Sequence, residues 1–305
     1  MTAVSSFHRT LPDGTLISAA SFGCSSLWAK PSFDANTAIA LLETGVRAGL
    51  NYLDTGPSYG NGEGEKRLGA FLSVHGRSGL IVSTKVGTSF DSAHRRTRSF
   101  SVPDIEKSLG DSLARLRLPQ VDILYLHGPS TADLNDDTLR FFEEEKRRGR
   151  IRWSGVNSFD VNVLEACINR PIDALMIQYN VADLSAEPLL PQFAERMKIV
   201  ISGTALARAI YAPRTFIPTN RLALWYLLRA FKSDPWFPVK GAQLRKRLEL
   251  FGEDAASAAM QFVVGSPFIH SAIFGTTKNS HMLANIEAAR HPMPDEQRCI
   301  FYRRR

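Results

Sequence analysis

The chain of 305 residues is poor in cysteine. It has three, Cys24, Cys167 and Cys299, far apart and with no Cys-x-x-Cys pair. That spacing excludes a disulfide framework and a structural zinc site, and a reducing cytoplasm is the expected compartment. Long hydrophobic runs are also missing. Met1 to Arg9 carries no apolar signal core, and no apolar stretch reaches membrane-spanning length. The Lys and Arg residues give a formal net charge of +7 but are scattered, with no aromatic-interleaved basic stripe. Anionic small ligands are therefore compatible with the charge, and nucleic acid is not implied. There is no Walker loop, no His-Glu-x-x-His and no Gly-x-Ser-x-Gly elbow. Gly60-Asn61-Gly62-Glu63-Gly64 fails the dinucleotide fingerprint, and Glu63 and Glu65 would repel a pyrophosphate.

What remains is an ordinary globular composition, 44% hydrophobic and 22% charged, with enough length for a large core. A hairpin is expected over Phe7 to Ile17, turning at Pro12-Asp13-Gly14. Eight strand-like runs follow, at Leu16–Phe22, Leu50–Asp54, Leu80–Lys85, Val121–His127, Ile151–Val156, Ala174–Ile177, Ile199–Ile201 and Ser271–Phe274. A helix-like run comes after each. Asp34, Asp160 and the pair Ser101/Asp104 supply caps, and Gly49 and Gly149 supply stops. Strict alternation over about 300 residues predicts one (β/α)8 TIM barrel spanning residues 1–305, with a short N-terminal hairpin and a long loop region after strand 7. That region, Arg208 to Glu253, contains Pro213, Pro218, Pro235 and Pro238 and the aromatics Trp225, Tyr226, Trp236 and Phe237. It reads as an apolar lid or as a small core of its own. An open doubly wound sheet, the other βα architecture, would need the missing fingerprint.

In a parallel βα barrel, chemistry gathers where the strands end. Asp54, Lys85 and His127 stand at three successive strand ends, and Tyr59 follows Asp54 by five residues. Singly, each has a plain structural reading: a cap, a salt bridge, a buried histidine, a loop aromatic. Jointly they suit an oxygen that gains negative charge and then a proton. A tyrosine is protonated at neutral pH, a neighbouring ammonium lowers its pKa, a carboxylate holds that ammonium, and a histidine orients a carbonyl. Carbonyl reduction by hydride is such a reaction, and the hydride must come from a cofactor.

At these residues the chain resembles the aldo-keto reductase family. The resemblance rests on Asp54-x4-Tyr59, Thr84-Lys85 and Leu126-His127-Gly128-Pro129. It extends through the Gly-Glu-x-Glu-x-x-Leu-Gly pattern closing at Gly69, Gly155-Val156-Asn157-Ser158-Phe159, Gln178-Tyr179-Asn180, and Gly275-Thr276-Thr277-Lys278 through Asn285. It implies a barrel that binds NADPH in extended form and transfers its pro-R hydride to an aldehyde or ketone, or runs the reverse oxidation. Tyr59 would donate the proton, Asp54 and Lys85 would tune it, and His127 would position the carbonyl. Asn157, Ser158 and Gln178 would hold the nicotinamide carboxamide, and Thr204, Leu206 and Arg208 would follow the pyrophosphate. Gly275, Thr277, Lys278, His281 and Asn285 would meet the adenosine end, where the start of the last helix suits a phosphate. Trp28 and Phe90 are candidate substrate-pocket walls.

Three positions depart from the family pattern. Asn157-Ser158 inverts the usual order. Gly203 stands where a ring commonly stacks on the nicotinamide. His281 stands where many members carry an Arg for the 2′-phosphate. NADPH is thus favoured, with NADH as the alternative. The resemblance also extends to non-catalytic, channel-associated subunits, so a nucleotide-binding regulatory barrel is the competing function. A metal-dependent barrel hydrolase would need a His and carboxylate cluster at the strand ends, and only His127 and Asp54 qualify; no metal is expected.

Overall fold

The structure, a computed structural model, describes residues 7–90, 95–212, 217, 227–228, 231–232, 235–251 and 254–302. Eight parallel strands close into a barrel in chain order: β3 (Ala20–Gly23), β4 (Tyr52–Asp54), β5 (Ile81–Val86), β8 (Val121–His127), β9 (Ile151–Asn157), β10 (Ala174–Ile177), β11 (Ile199–Ser202) and β12 (Ser271–Phe274). Most are short apolar runs buried throughout, as a parallel sheet covered on both faces requires. Around them lie α1 (Ala35–Arg47), α2 (Glu63–His75), α3 (Val102–Leu116), α4 (Asp136–Arg147), α5 (Val161–Ala166), α6 (Leu190–Glu195), α7 (Phe237–Leu248), α8 (Ala255–Val264) and α9 (Asn279–Arg290). Asp34 and Asp160 cap their helices as read, accepting from the backbone N–H of Thr37 and Asn162. None of the described helices is long and apolar enough to cross a membrane.

The N-terminal hairpin pairs β1 (His8–Thr10) with β2 (Leu16–Ser18), turning at Gly14, whose φ is +86°. Its Leu11 and Ile17 pack with Tyr52, Ile81, Ile123, Ile199 and Ile273, so the hairpin plugs the end of the barrel where the strands begin. The catalytic candidates are left at the opposite, open end.

Several expectations need correction. Leu16–Phe22 is not one strand: Ser18 and Asn51 bond reciprocally, Ser18 N to Asn51 Oδ1 at 2.7 Å and Asn51 N to Ser18 Oγ at 3.0 Å. This tie separates the hairpin from β3. The Ser101/Asp104 capping box does not form, because the Ser101 hydroxyl donates to the Asp104 carboxylate at 2.7 Å instead of accepting from the backbone. Between β5 and α3 the chain makes an antiparallel arm, β6 (Thr88–Phe90) with β7 (Arg96–Arg98), where the sequence suggested only a loop. An extra C-terminal helix, α10 (Asp295–Tyr302), packs Phe301 on Phe262 with ring centroids 4.9 Å apart. In the region read as a long loop after β11, the described residues form α7 and a 3-10 turn at Glu249–Phe251. Trp225 and Tyr226 lie outside the described residues.

Candidate active site

Strand alternation sets the site. Tyr52 and Asp54 on β4, Ser83 and Lys85 on β5, and Tyr125 and His127 on β8 are i, i+2 pairs, so both members point to the same side. Asp54 pairs in register with Ser83, which puts Lys85 one step further up the barrel. Its ammonium reaches back and donates to Asp54 Oδ1 and Oδ2, both at 2.6 Å, and to the Thr55 carbonyl at 2.8 Å. Ser83 Oγ donates to Asp54 Oδ1 at 2.6 Å. Lys85 is fully buried and Asp54 nearly so. A buried charge pair of this kind persists only when its remaining donors and acceptors are also satisfied, as they are here.

Tyr59 follows in the β4–α2 loop, half-buried, with the Lys85 ammonium 4.8 Å from its ring centroid. Burial pushes the Tyr59 pKa above its ordinary 10.0, although Lys85 pulls it down. Lys85 lowers the pKa as expected, but burial is the larger effect, and Tyr59 stays protonated. Burial likewise works against the Lys85 charge, but Asp54 and Tyr59 carry its pKa above 10.5.

His127 meets Tyr59 edge-on, ring centroids 6.1 Å apart. Its pKa falls to about 3, first through burial and then through the positive charges of Lys85 and Arg96, so it is neutral at working pH. Its Nδ1 is buried with no hydrogen-bond partner among the described residues. A buried nitrogen left without a partner is an exception in folded proteins. The β6–β7 arm is fastened to this corner: Thr88 donates to the His127 carbonyl at 3.0 Å, and Arg98 donates to the Gly128 carbonyl. Cys24, beside Asp54, is fully buried and its thiol is pushed well above its usual range, so it packs and does not react.

A cleft of about 460 Å³ opens beside this group, between the ends of β3, β11 and β12. It gathers Thr204, Leu206, Arg208, Gly275, Thr277, Lys278 and His281, and Trp28 forms part of its wall. The loop residues Ser25, Ser26 and Leu27 also line it, and the sequence reading missed them. None of the described lining residues is acidic, and α9 begins after its N-cap Lys278 without a side-chain cap bond, leaving backbone N–H groups to meet an anion. Ala207, Arg208 and Ala209 at its rim all have φ near +50°, a costly conformation for residues with a Cβ.

The other candidates sit elsewhere. Asn157 and Ser158 lie buried at the end of β9, with Asn157 Nδ2 donating to the Met176 carbonyl at 3.3 Å and Ser158 Oγ accepting from Asp160 N at 3.1 Å. Gln178, just past β10, donates to Asp183 at 2.5 Å, and Asn285 donates to the His281 carbonyl at 2.7 Å. At Gly203 an added Cβ would lie 3.0 Å from Met176 Cγ, so the packing there leaves little room for a ring. Trp28 is held in the core by its indole N–H, which donates to the Ala38 carbonyl at 3.1 Å. Phe90 lines a different cleft, with Pro57, Asn61, Thr97 and Lys107.

An oxidoreductase of Bacillus subtilis, the uncharacterized YqkF, is 27% identical over 277 residues, covering 90% of this chain and 87% of that one. The D-threo-aldose 1-dehydrogenase of a Pseudomonas species is 27% identical over 282 residues, covering 84% of each. Among solved structures, the holo form of aldo-keto reductase AKR11C1 from Bacillus halodurans superposes with a TM-score of 0.81 at 26% identity, covering 97% of this chain and 95% of that one. Residues 21–299 match the Aldo/keto reductase family, and with its closed barrel and strand-end polar group this chain belongs to that family of oxidoreductases.

Proposed function

We propose that the protein is an NAD(P)H-dependent carbonyl reductase, with NADPH the favoured coenzyme, acting on aldehydes or ketones or on the corresponding alcohols and sugars in reverse. The observation that carries the reading is the group Asp54–Lys85–Tyr59–His127, a buried ammonium clamped on a carboxylate beside a protonated tyrosine and a neutral histidine. The residues of the neighbouring cleft fit a nicotinamide dinucleotide: the lining is free of carboxylates among the described residues, Arg208, Lys278 and His281 supply positive or protonatable groups, and an uncapped helix start faces it. When bound, the coenzyme supplies the hydride that no side chain can.

The chain's own residues do the rest. His127, neutral, donates a hydrogen bond to the carbonyl oxygen and fixes the face presented to the hydride. Tyr59 donates its phenolic proton to that oxygen as the carbon–oxygen double bond becomes an alcohol. The phenolate left behind is stabilised by the Lys85 ammonium, which Asp54 and the Thr55 carbonyl hold in place. Asn157, Ser158 and Gln178 would steady the carboxamide, Thr204, Leu206 and Arg208 the pyrophosphate, and Gly275, Thr277, Lys278, His281 and Asn285 the adenosine end. Trp28 would form a wall of the substrate pocket.

The test is consumption of NADPH and, in parallel, of NADH with a panel of aromatic and sugar aldehydes; the likeness to an aldose dehydrogenase puts aldoses and NAD(P)+ on the reverse panel. Turnover with either coenzyme supports the reading. Coenzyme binding without turnover on any panel member supports the regulatory-barrel reading instead, and no binding refutes both.

A further inference from the structure

The barrel interior directly beneath Asp54 carries polar groups, although bulky aliphatic residues dominate such layers in βα barrels. Tyr52, Ser83 and Tyr125 sit two residues before Asp54, Lys85 and His127, and all three are completely buried. Tyr52 Oη lies 2.9 Å from Ser83 Oγ, and Tyr125 Oη lies 3.3 Å from Tyr52 Oη. Ser83 Oγ is 2.6 Å from Asp54 Oδ1. The direction of each bond follows from counting protons. An ionised carboxylate only accepts, so Ser83 spends its single proton on Asp54. Tyr52 must then donate to Ser83, and Tyr125 to Tyr52. Burial holds both phenols well above their ordinary pKa, so neither gives up its proton at working pH.

Space for the chain is built into the neighbouring strand. Gly155 is the register partner of Tyr125, and a Cβ there would come 2.5 Å from the Tyr125 ring. A glycine at that point clears room for a phenol inside the barrel. Three buried hydroxyls would each be costly if left unpaired; here they satisfy one another in a single file that ends on a charge.

We infer that Tyr125, Tyr52 and Ser83 form a one-way hydrogen-bond chain that supports Asp54 from below, making Ser83 and Tyr52 positioning residues for the Lys85–Tyr59 pair. This rests on the proposal that Tyr59 is the proton donor. No proton travels along the chain. Its effect is geometric and electrostatic. Ser83 anchors Oδ1, one of the two oxygens that Lys85 grips, which restrains rotation of the carboxylate away from the ammonium. It also draws off part of the carboxylate charge. Without it, the full charge of Asp54 would act on Tyr59, which that charge makes a weaker acid.

The test compares kcat, KM and coenzyme Kd in Ser83→Ala, Ser83→Thr and Tyr52→Phe, each also in the Tyr59→Phe background. Loss of a charge-assisted hydrogen bond at the carboxylate is expected to lower kcat about tenfold in Ser83→Ala, with KM and coenzyme Kd within about twofold. Ser83→Thr, which restores the hydroxyl, should recover most of the rate. Tyr52→Phe, one bond further away, should lose about threefold. In the Tyr59→Phe background neither substitution should cost anything more, because both act through Tyr59. An equal loss in that background, an unchanged kcat, or no recovery in Ser83→Thr overturns the inference. Should Ser83→Ala fail to fold, Tyr52→Phe carries the comparison alone, since Ser83 remains in place. If Tyr59→Phe itself keeps wild-type turnover, the donor assignment fails and this inference with it; a crippled Tyr59→Phe beside an unaffected Ser83→Ala and Tyr52→Phe removes the chain only.

Discussion

Replacing Lys85 by Met removes an ammonium that is wholly buried and leaves a nearly buried carboxylate behind. The pair is separated by 2.6 Å, and at an effective dielectric of about 20 its attraction is roughly 6 kcal/mol. That gain is largely offset by the cost of taking both ions out of water. Breaking the pair from one side is a different matter, because Asp54 keeps its desolvation cost and loses every partner except Ser83. The expected loss of folding stability is about 3–5 kcal/mol. Asp54→Asn combined with Lys85→Met removes both charges at once and should recover most of that loss, since the amide and thioether have similar volumes to the groups they replace. Urea unfolding followed by far-ultraviolet circular dichroism, at pH 7 and without coenzyme, measures both. A loss under about 1 kcal/mol in Lys85→Met, or a double variant no more stable than the single one, would refute the reasoning from burial and pairing.

Other outcomes follow from the same geometry. His127 titrates near 3 and Tyr59 above 10, so kcat/KM for aldehyde reduction should vary less than about twofold between pH 6 and 9; a limb near pH 6.5 would mean that His127 is solvated. His270, whose Nδ1 accepts from Val200 N at 3.0 Å, has its pKa lowered to about 4 by burial. Below pH 6.5 the unfolded chain takes up a proton that the folded one refuses, so stability falls as pH drops from about 6.5 to 4, by up to about 3 kcal/mol from this residue. His270→Asn, which keeps an acceptor and does not titrate, should flatten that slope in urea unfolding at pH 7 and pH 4.5. Lys278→Ala and His281→Ala should each raise the Kd for NADPH about tenfold in a fluorescence titration while leaving NADH nearly unchanged; equal effects on both coenzymes would place the 2′-phosphate elsewhere.

The parts legible in the sequence are those where one physical rule dominates. Buried parallel strands must be short and apolar, so Ile81–Val86 and Ala174–Ile177 stood out between polar stretches. Polar residues at the ends of such strands have few structural reasons to be there, and Asp54, Lys85 and His127 were found that way. The β6–β7 arm was not legible, because Arg96-Thr97-Arg98 is exposed on both faces and shows no alternation. Helix α10 was missed for a similar reason: Arg298 and Phe301 are its only buried side chains. Arg298 is held there by Tyr179, whose hydroxyl accepts from it at 2.8 Å across a long sequence gap. Ser83 was also overlooked. Its signal was present, two residues before Lys85 and therefore on the same side of β5, but a serine inside an apolar strand reads as filler until Asp54 is seen across from it. The direction of the Tyr59 shift could not be read either, because it depends on how deeply the loop is buried and not on which residues neighbour it in the chain.

The most direct measurement is the turnover of NADPH with an accepted aldehyde by wild type and by Tyr59→Phe, with coenzyme Kd determined on both. Removal of one hydroxyl should lower kcat by at least about 100-fold and leave coenzyme Kd within about twofold. A Tyr59→Phe protein that binds NADPH and reduces the aldehyde at close to the wild-type rate would contradict the account.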